Sequence, residues 1–206
     1  MKKLLLLLTL CFNVHGAFAD SGGFLGIDHR LPFDNSGIWS RDTQTAVEMG
    51  SAGLLVLGAL YEGGDSKLGK TYWQAIDSMV SADVTAAVAK SVFKRQRPID
   101  GNNPNAFFNN PNDKSFPSGE VTHITAIVTP FIMNYKDENP SIWGLVALPV
   151  YVSAARLKSQ AHWQTDVLAG LALGSGMGYL ATQRNNPWSL SLLPSGLSVG
   201  LKKNFN

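Results

Sequence analysis

The chain has 206 residues and a single cysteine, Cys11, which falls in a leader expected to be removed. Without it no disulfide forms and no thiolate nucleophile is at hand. Histidine is nearly as scarce, with His29, His123 and His162 alone outside that leader. Too few soft ligands remain for a zinc site of the Cys/His kind, and neither metal nor other cofactor is expected. A basic excess is also missing. Of 17 Lys and Arg, Lys2 and Lys3 belong to the leader, which leaves 15 against 15 Asp and Glu. A nucleic-acid partner needs a basic face and is not expected. Long apolar runs are lacking after the leader. Ile142 to Ala155 and Val167 to Ala181 fall short of the ~18–20 residues a membrane span requires, so both are expected as buried helices of a soluble domain.

Lys2-Lys3, the apolar run Leu4 to Phe12 and the small-x-small site Ala17-Phe18-Ala19 predict a secretory signal peptide over residues 1–19 and hence a periplasmic protein. Residues 20–40, rich in Gly, Pro, Asp and Asn, predict an extended arm. Residues 41–186 then read as one helical domain. Its helices are expected over Arg41–Tyr61, Lys70–Arg95, Pro117–Tyr135, Ser141–Leu157 and Asp166–Gln183. In the second, Ile76, Val80, Val84, Val88 and Val92 recur near helical spacing and are expected in the core. In the last, Gly170, Gly174, Gly176 and Gly178 permit close helix contact. The long loop Ile99 to Ser115 carries Phe107 and Phe108, which either pack down as a plug or touch an apolar part of a substrate. In residues 187–206, Leu190 and Leu192, then Leu197, Val199 and Leu201, alternate around a Pro-Ser-Gly turn and predict a short hairpin. The fold class is therefore all-α, a single-domain bundle with a C-terminal β-hairpin.

Three stretches carry chemistry. Arg156, His162 and Asp166 stand where two apolar runs meet. On a helix His162 and Asp166 would share a face, so that the carboxylate could fix the ring tautomer and free the other nitrogen for attack. Arg156 adds a permanent charge whose fork fits phosphate oxygens. Lys90 and Arg97, seven apart with no acid between them, would project from one helix face, where an anion relieves their repulsion. Pro117-Ser118-Gly119 opens a helix whose free N–H groups, with the Ser118 hydroxyl, suit an anion.

Taken together, Lys-x6-Arg-Pro, Pro-Ser-Gly and Arg-x5-His-x3-Asp resemble the three-part signature of the type 2 phosphatidic acid phosphatase superfamily. Its members include bacterial acid phosphatases, membrane lipid phosphatases and vanadium haloperoxidases. The resemblance runs from Lys90 to Asp166 and implies a bundle of that type and metal-independent hydrolysis of phosphomonoesters or lipid phosphates. It further implies that His162 forms a phosphohistidine, that Asp166 orients it, and that Lys90, Arg97, Arg156, Ser118 and Gly119 hold the phosphate oxygens. Two positions depart from the pattern. Glu120 stands where the family has the His that protonates the leaving oxygen, and Ala155 replaces a Ser. Glu120 itself, His123 one turn on, or no group at all are the alternatives for that proton. A phosphate-binding relative with weak turnover and a vanadium haloperoxidase are the rival readings. A small phosphorylated substrate, a lipid phosphate and peripheral membrane contact all stay open, as does the oligomeric state.

Overall fold

The structure, a computed structural model, describes residues 22–183 apart from residue 24, together with the backbone of Ser189–Leu193 and Gly196–Gly200. The expected leader lies outside the described residues, and so do residues 184–188, the expected turn at 194–195 and residues 201–206 of the expected tail. The all-α class rests on the helices. Residues 25–36 run without regular structure, and a 3-10 turn at Gly37–Trp39 leads into α1 (Arg41–Glu62). Then come α2 (Lys67–Phe93), α3 (Gly119–Tyr135), α4 (Ala147–Lys158) and α5 (Gln164–Gln183).

Local chemistry sets the ends of these helices. Ser40 caps α1 by accepting from the Thr43 N–H, and Gly63, at φ 69°, ends it in a conformation glycine adopts freely. Ser66 caps α2 through the Gly69 N–H. α2 stops at Phe93, before the expected Arg95, because Lys94 turns into the left-handed region at φ 44°. Pro98, beyond that stop, opens a separate 3-10 turn, Pro98–Asp100.

α3 is the central helix and packs against the other four. Leu55, Ala59, Ala75, Ile76 and Ile127 join α1, α2 and α3, while Val121, Ile124, Val152 and Val167 join α3, α4 and α5. The α3–α5 crossing depends on glycine. A Cβ on Gly174 would stand 2.5 Å from the Thr122 carbonyl oxygen, and one on Gly178 would stand 2.4 Å from the Thr129 Cβ. Gly176 faces open space and plays no such part.

The valine stripe of α2 is not core. Ile76 is buried, but Val80, Val84, Val88 and Val92 are 44–60% exposed. A step of four residues overshoots a 3.6-residue turn by about 40°, so by Val92 the stripe has walked roughly 160° around the helix. The true inner face is Gly69, Thr71, Ala75, Ser78, Ala82 and Ala86, small groups that let α3 and α5 approach. The run near Ile142 also departs from expectation. A 3-10 turn, Pro140–Val146, continues into α4, and the 19-residue segment Pro140–Lys158 is long and apolar enough by length and composition to cross a membrane. Only 22% of its apolar window is buried, so it is not the buried helix expected.

One charge network ties the chain ends of the domain together. Arg95, 1% exposed, donates to Asp28 in the N-terminal arm at 2.7 Å and to Asp166 in α5 at 2.5 Å. Thr165 joins both partners: its hydroxyl and N–H reach Asp28, and its Oγ accepts from Arg95. Burial alone would raise the Asp166 carboxyl, but the neighbouring His162, Arg95 and Ser115 outweigh it and hold the group below the usual carboxylate range.

Gly174→Ala is expected to cost about 1–3 kcal/mol through overpacking, a fall in Tm of roughly 2–4 °C per kcal/mol, while Gly176→Ala, with open space at its Cβ, is expected to raise Tm slightly through helix propensity; thermal unfolding followed by circular dichroism reads both. Arg95→Met strands two buried carboxylates and is expected to cost about 3–5 kcal/mol in urea unfolding. Because the folded-state pKa of Asp166 is depressed, its contribution is present above the unfolded value of about 3.9 and is lost as pH falls below it. The acid-side fall of the urea midpoint should accordingly shrink in Asp166→Asn.

Candidate functional site

The predicted site residues come from four elements: the end of α2, the loop that follows it, the start of α3, and the α4–α5 corner. His162 lies in that corner, two residues before α5 begins, and is 1% exposed. Its Nδ1 is 2.8 Å from the Ser115 carbonyl oxygen. A carbonyl only accepts, so Nδ1 carries a proton and Nε2 is left as the nitrogen that can react.

The expected helical pairing of His162 with Asp166 is not what orients the ring. Nδ1 and the Asp166 carboxylate are 3.7 Å apart, since His162 precedes the helix and does not share its face. Asp166 acts at one remove. It accepts from the Ser115 hydroxyl at 2.5 Å and from the Trp163 N–H at 2.9 Å, and so fixes the residue whose carbonyl holds the imidazole.

Around this ring stand the expected anion-binding groups. Arg156, 3% exposed, donates through Nη1 to Gln44 at 2.7 Å, while its buried Nε has no partner. Ser118 caps α3 without using its side chain, and its Oγ is buried and unpaired. A buried hydroxyl and guanidinium nitrogen without partners are costly, and an anion accepting from both relieves that cost. Gly119 stands at the first position of α3, where a Cβ would come 3.2 Å from Lys90 Cε. Lys90 Nζ donates to the Lys114 carbonyl at 2.9 Å. Burial, with help from Arg97 and Arg156 and against the pull of Glu120 and Asp166, pushes its pKa down to about 8. Arg97 has left the helix with the early stop of α2, so it does not share a helix face with Lys90. The two meet again as lining residues of one cavity of about 340 Å³.

Glu120 and His123 also line that cavity, with Glu48 and Asp83. The Glu120 carboxylate contacts Arg41 Nη1 at 2.7 Å, Arg156 Nη2 at 3.3 Å and His162 Nε2 at 3.3 Å. It stands between the cavity and the two groups behind it. Burial would raise its pKa, but the His162 contact and the charges of His162 and Arg156 prevail and hold it well below the usual carboxylate range. A carboxyl so held keeps no proton to give. His123, one turn on, bonds Asp83 through Nδ1 at 2.8 Å, and its buried Nε2 has no partner.

Several residues that build the site were not singled out from the sequence. Arg95, in the run Lys94 to Arg97, read only as one more cation. Ser115, Gln44, Asp28 and Arg41 lie outside the three motifs, and nothing in their local spacing marks them. Phe107 packs down: its ring lies 4.8 Å from the Arg95 guanidinium and edge-on to Phe93. Phe108 also meets Phe93 but is 59% exposed.

Known proteins match this part of the chain. Residues 71–189 match the PAP2 superfamily. An undecaprenyl-diphosphatase of Sulfolobus acidocaldarius is 35% identical over 109 residues, 52% of this chain and 51% of that protein. The chain thus spans about half the length of that relative. No solved structure matches significantly. The family match takes in more than half of the sequence and every residue of the three motifs, from Lys90 to Asp166; the chain belongs to the PAP2 superfamily.

Proposed function

We propose that the protein is an exported, periplasmic phosphatase that hydrolyses phosphomonoesters or lipid phosphates without a metal, through a phosphohistidine on His162. The observation that carries this is the pairing of Nδ1 with the Ser115 carbonyl, which leaves Nε2 against Glu120, itself a lining residue of the cavity that Lys90 and Arg97 share. The unspent Ser118 Oγ and Arg156 Nε are the further donors. Nε2 attacks phosphorus, the bond to the leaving oxygen breaks, and that oxygen takes up a proton. Water then attacks phosphorus, the P–N bond breaks, and phosphate leaves. Lys90, Arg97 and Arg156 hold the equatorial oxygens with the Gly119 N–H and Ser118, supplying the positive charge that a metal brings elsewhere.

For Nε2 to attack, the Glu120 carboxylate must part from it and the ring must be neutral, with its one proton on Nδ1 toward the Ser115 carbonyl. A phosphoryl group of higher charge is the stronger partner for Arg156 and displaces it. The diphosphatase relative favours a lipid substrate. Exposed apolar side chains also favour one, since Leu54, Leu57, Leu60 and Tyr61 on α1 and Trp143 and Val150 around α4 offer a peripheral membrane contact.

His162→Ala is expected to reduce turnover of a chromogenic phosphomonoester and of a polyprenyl phosphate by about 10³-fold or more, with loss of an acid-labile phosphoenzyme trapped by rapid quench. Phosphate binding without turnover of any ester would instead favour the binding-protein reading that Glu120 motivates. Affinity for inorganic phosphate is expected to fall as pH rises through about 8, where Lys90 loses its proton. In Lys90→Arg it should persist above that pH, as titration calorimetry on either side of it would show.

A further inference from the structure

Resting on that reading, we propose that His123, held by Asp83, is the group that protonates the leaving oxygen, and that Asp83 is its positioning residue. Asp83 lies on α2, outside all three motifs. Its carboxylate can only accept, so the 2.8 Å contact fixes the proton on His123 Nδ1 and orients the ring. The other nitrogen, Nε2, is buried without a partner on a residue that lines the cavity. His123 stands one helical turn beyond Gly119 and Glu120 on the same face of α3. Gly119 and His123 line the same cavity, so a phosphoryl group resting on the Gly119 N–H shares that space with the His123 ring.

The surrounding charges suit a donor. Asp83 faces the ring from α2 and Glu48 from α1, with Glu120 on its own helix; Arg41, Lys90 and Arg97 share the cavity. Burial would strip the ring of its charge, but the Asp83 bond and the three carboxylates outweigh it and raise the pKa above the ordinary histidine value. A raised histidine keeps its proton at neutral pH and still gives it to an alkoxide. Glu120, the residue at the position where the family has its acid, is engaged by Arg41, Arg156 and His162. In the step, the Nε2–H proton moves to the ester oxygen as the P–O bond breaks and His162 Nε2 bonds to phosphorus. The neutral imidazole then takes a proton from the water that hydrolyses the phosphohistidine, which restores the donor.

The test compares a phosphomonoester with a good leaving group, p-nitrophenyl phosphate, and one with a poor leaving group, glycerol phosphate. In His123→Ala and His123→Gln, kcat on glycerol phosphate is expected to fall about 10²–10⁴-fold, against less than about tenfold on the nitrophenyl ester. Asp83→Asn should shift the alkaline limb of kcat on glycerol phosphate to lower pH, because the ring gives up its proton sooner. Any limb from Lys90 appears with both esters and does not move. Equal losses on both esters, an unmoved limb, or the same leaving-group dependence produced by Glu48→Gln in place of the His123 variants would overturn the assignment. If the wild type turns over neither ester, the phosphatase reading fails, and the pair is read by proton NMR. Inorganic phosphate should raise the His123 pKa and Asp83→Asn should lower it; a His123 signal indifferent to both overturns the pairing.

Discussion

A single guanidinium holds the functional half of this protein in place. Arg95 is buried with two carboxylates, Asp28 and Asp166, which come from opposite ends of the described chain. One positive charge against two negative ones would be unfavourable in a low-dielectric interior by itself. The deficit is met by dipoles. The Ser115 hydroxyl and the Trp163 N–H donate to Asp166, and the Thr165 N–H and hydroxyl donate to Asp28. Each of these donors belongs to the corner around His162 or to the strand of chain whose carbonyl holds its ring. The network that satisfies Arg95 is thus the same network that fixes the His162 ring, and stability and alignment are coupled through Ser115, whose hydroxyl serves one and whose carbonyl serves the other.

This coupling explains which parts of the molecule could be read in advance. The helices were legible because apolar spacing is local and the Gly170–Gly174–Gly178 ridge acts along one face; their capped ends at Ser40 and Ser66 came only with the structure. The three motifs were legible because their residue types and spacings are specific, and the family match from residue 71 to 189 bears out that resemblance. The role of Arg95 was not, because its charged partners lie more than 65 positions away and nothing in a run of four basic and amide residues says which one turns inward. The pairing of His162 with Asp166 is looser than a hydrogen bond, at 3.7 Å, for a related reason. A spacing of four implies contact only inside a helix, and His162 lies just outside one. The valines of α2 failed because a repeat of four is not a repeat of 3.6, so over four turns the stripe leaves the face on which it began.

The cradle is also less simple than a ring of cations waiting for phosphate. Arg41, Arg156 and His162 are already occupied by Glu120. Lys90 is half neutralised by burial near pH 8, and Arg97, among the described residues, makes no ion pair. An internal carboxylate at the reacting nitrogen keeps buried cations from facing one another unpaired, which would otherwise weaken the fold at the point where the chain must be most ordered. It also sets a threshold, since a ligand must bind Arg156 better than Glu120 does. A dianionic phosphoryl group carries more charge to Arg156 than one carboxylate does, which is the basis for the proposed displacement; the substitution at position 120 meanwhile removes an acid.

The removal is tolerable only because of where the substituted residue sits. On the first turn of α3 the residue after Gly119 points to the reacting nitrogen, while the one three positions further on lies above it on the same face. A histidine in the first place would need to serve next to His162, Arg41 and Arg156, all of which disfavour a second positive charge there. Moved one turn along, His123 leaves that crowd and gains Asp83 and Glu48, which favour the charge a proton donor must carry. The arrangement separates two tasks that one side chain performs poorly in a cationic pocket: Glu120 balances charge beside the nucleophile, and the proton is kept where carboxylates hold it.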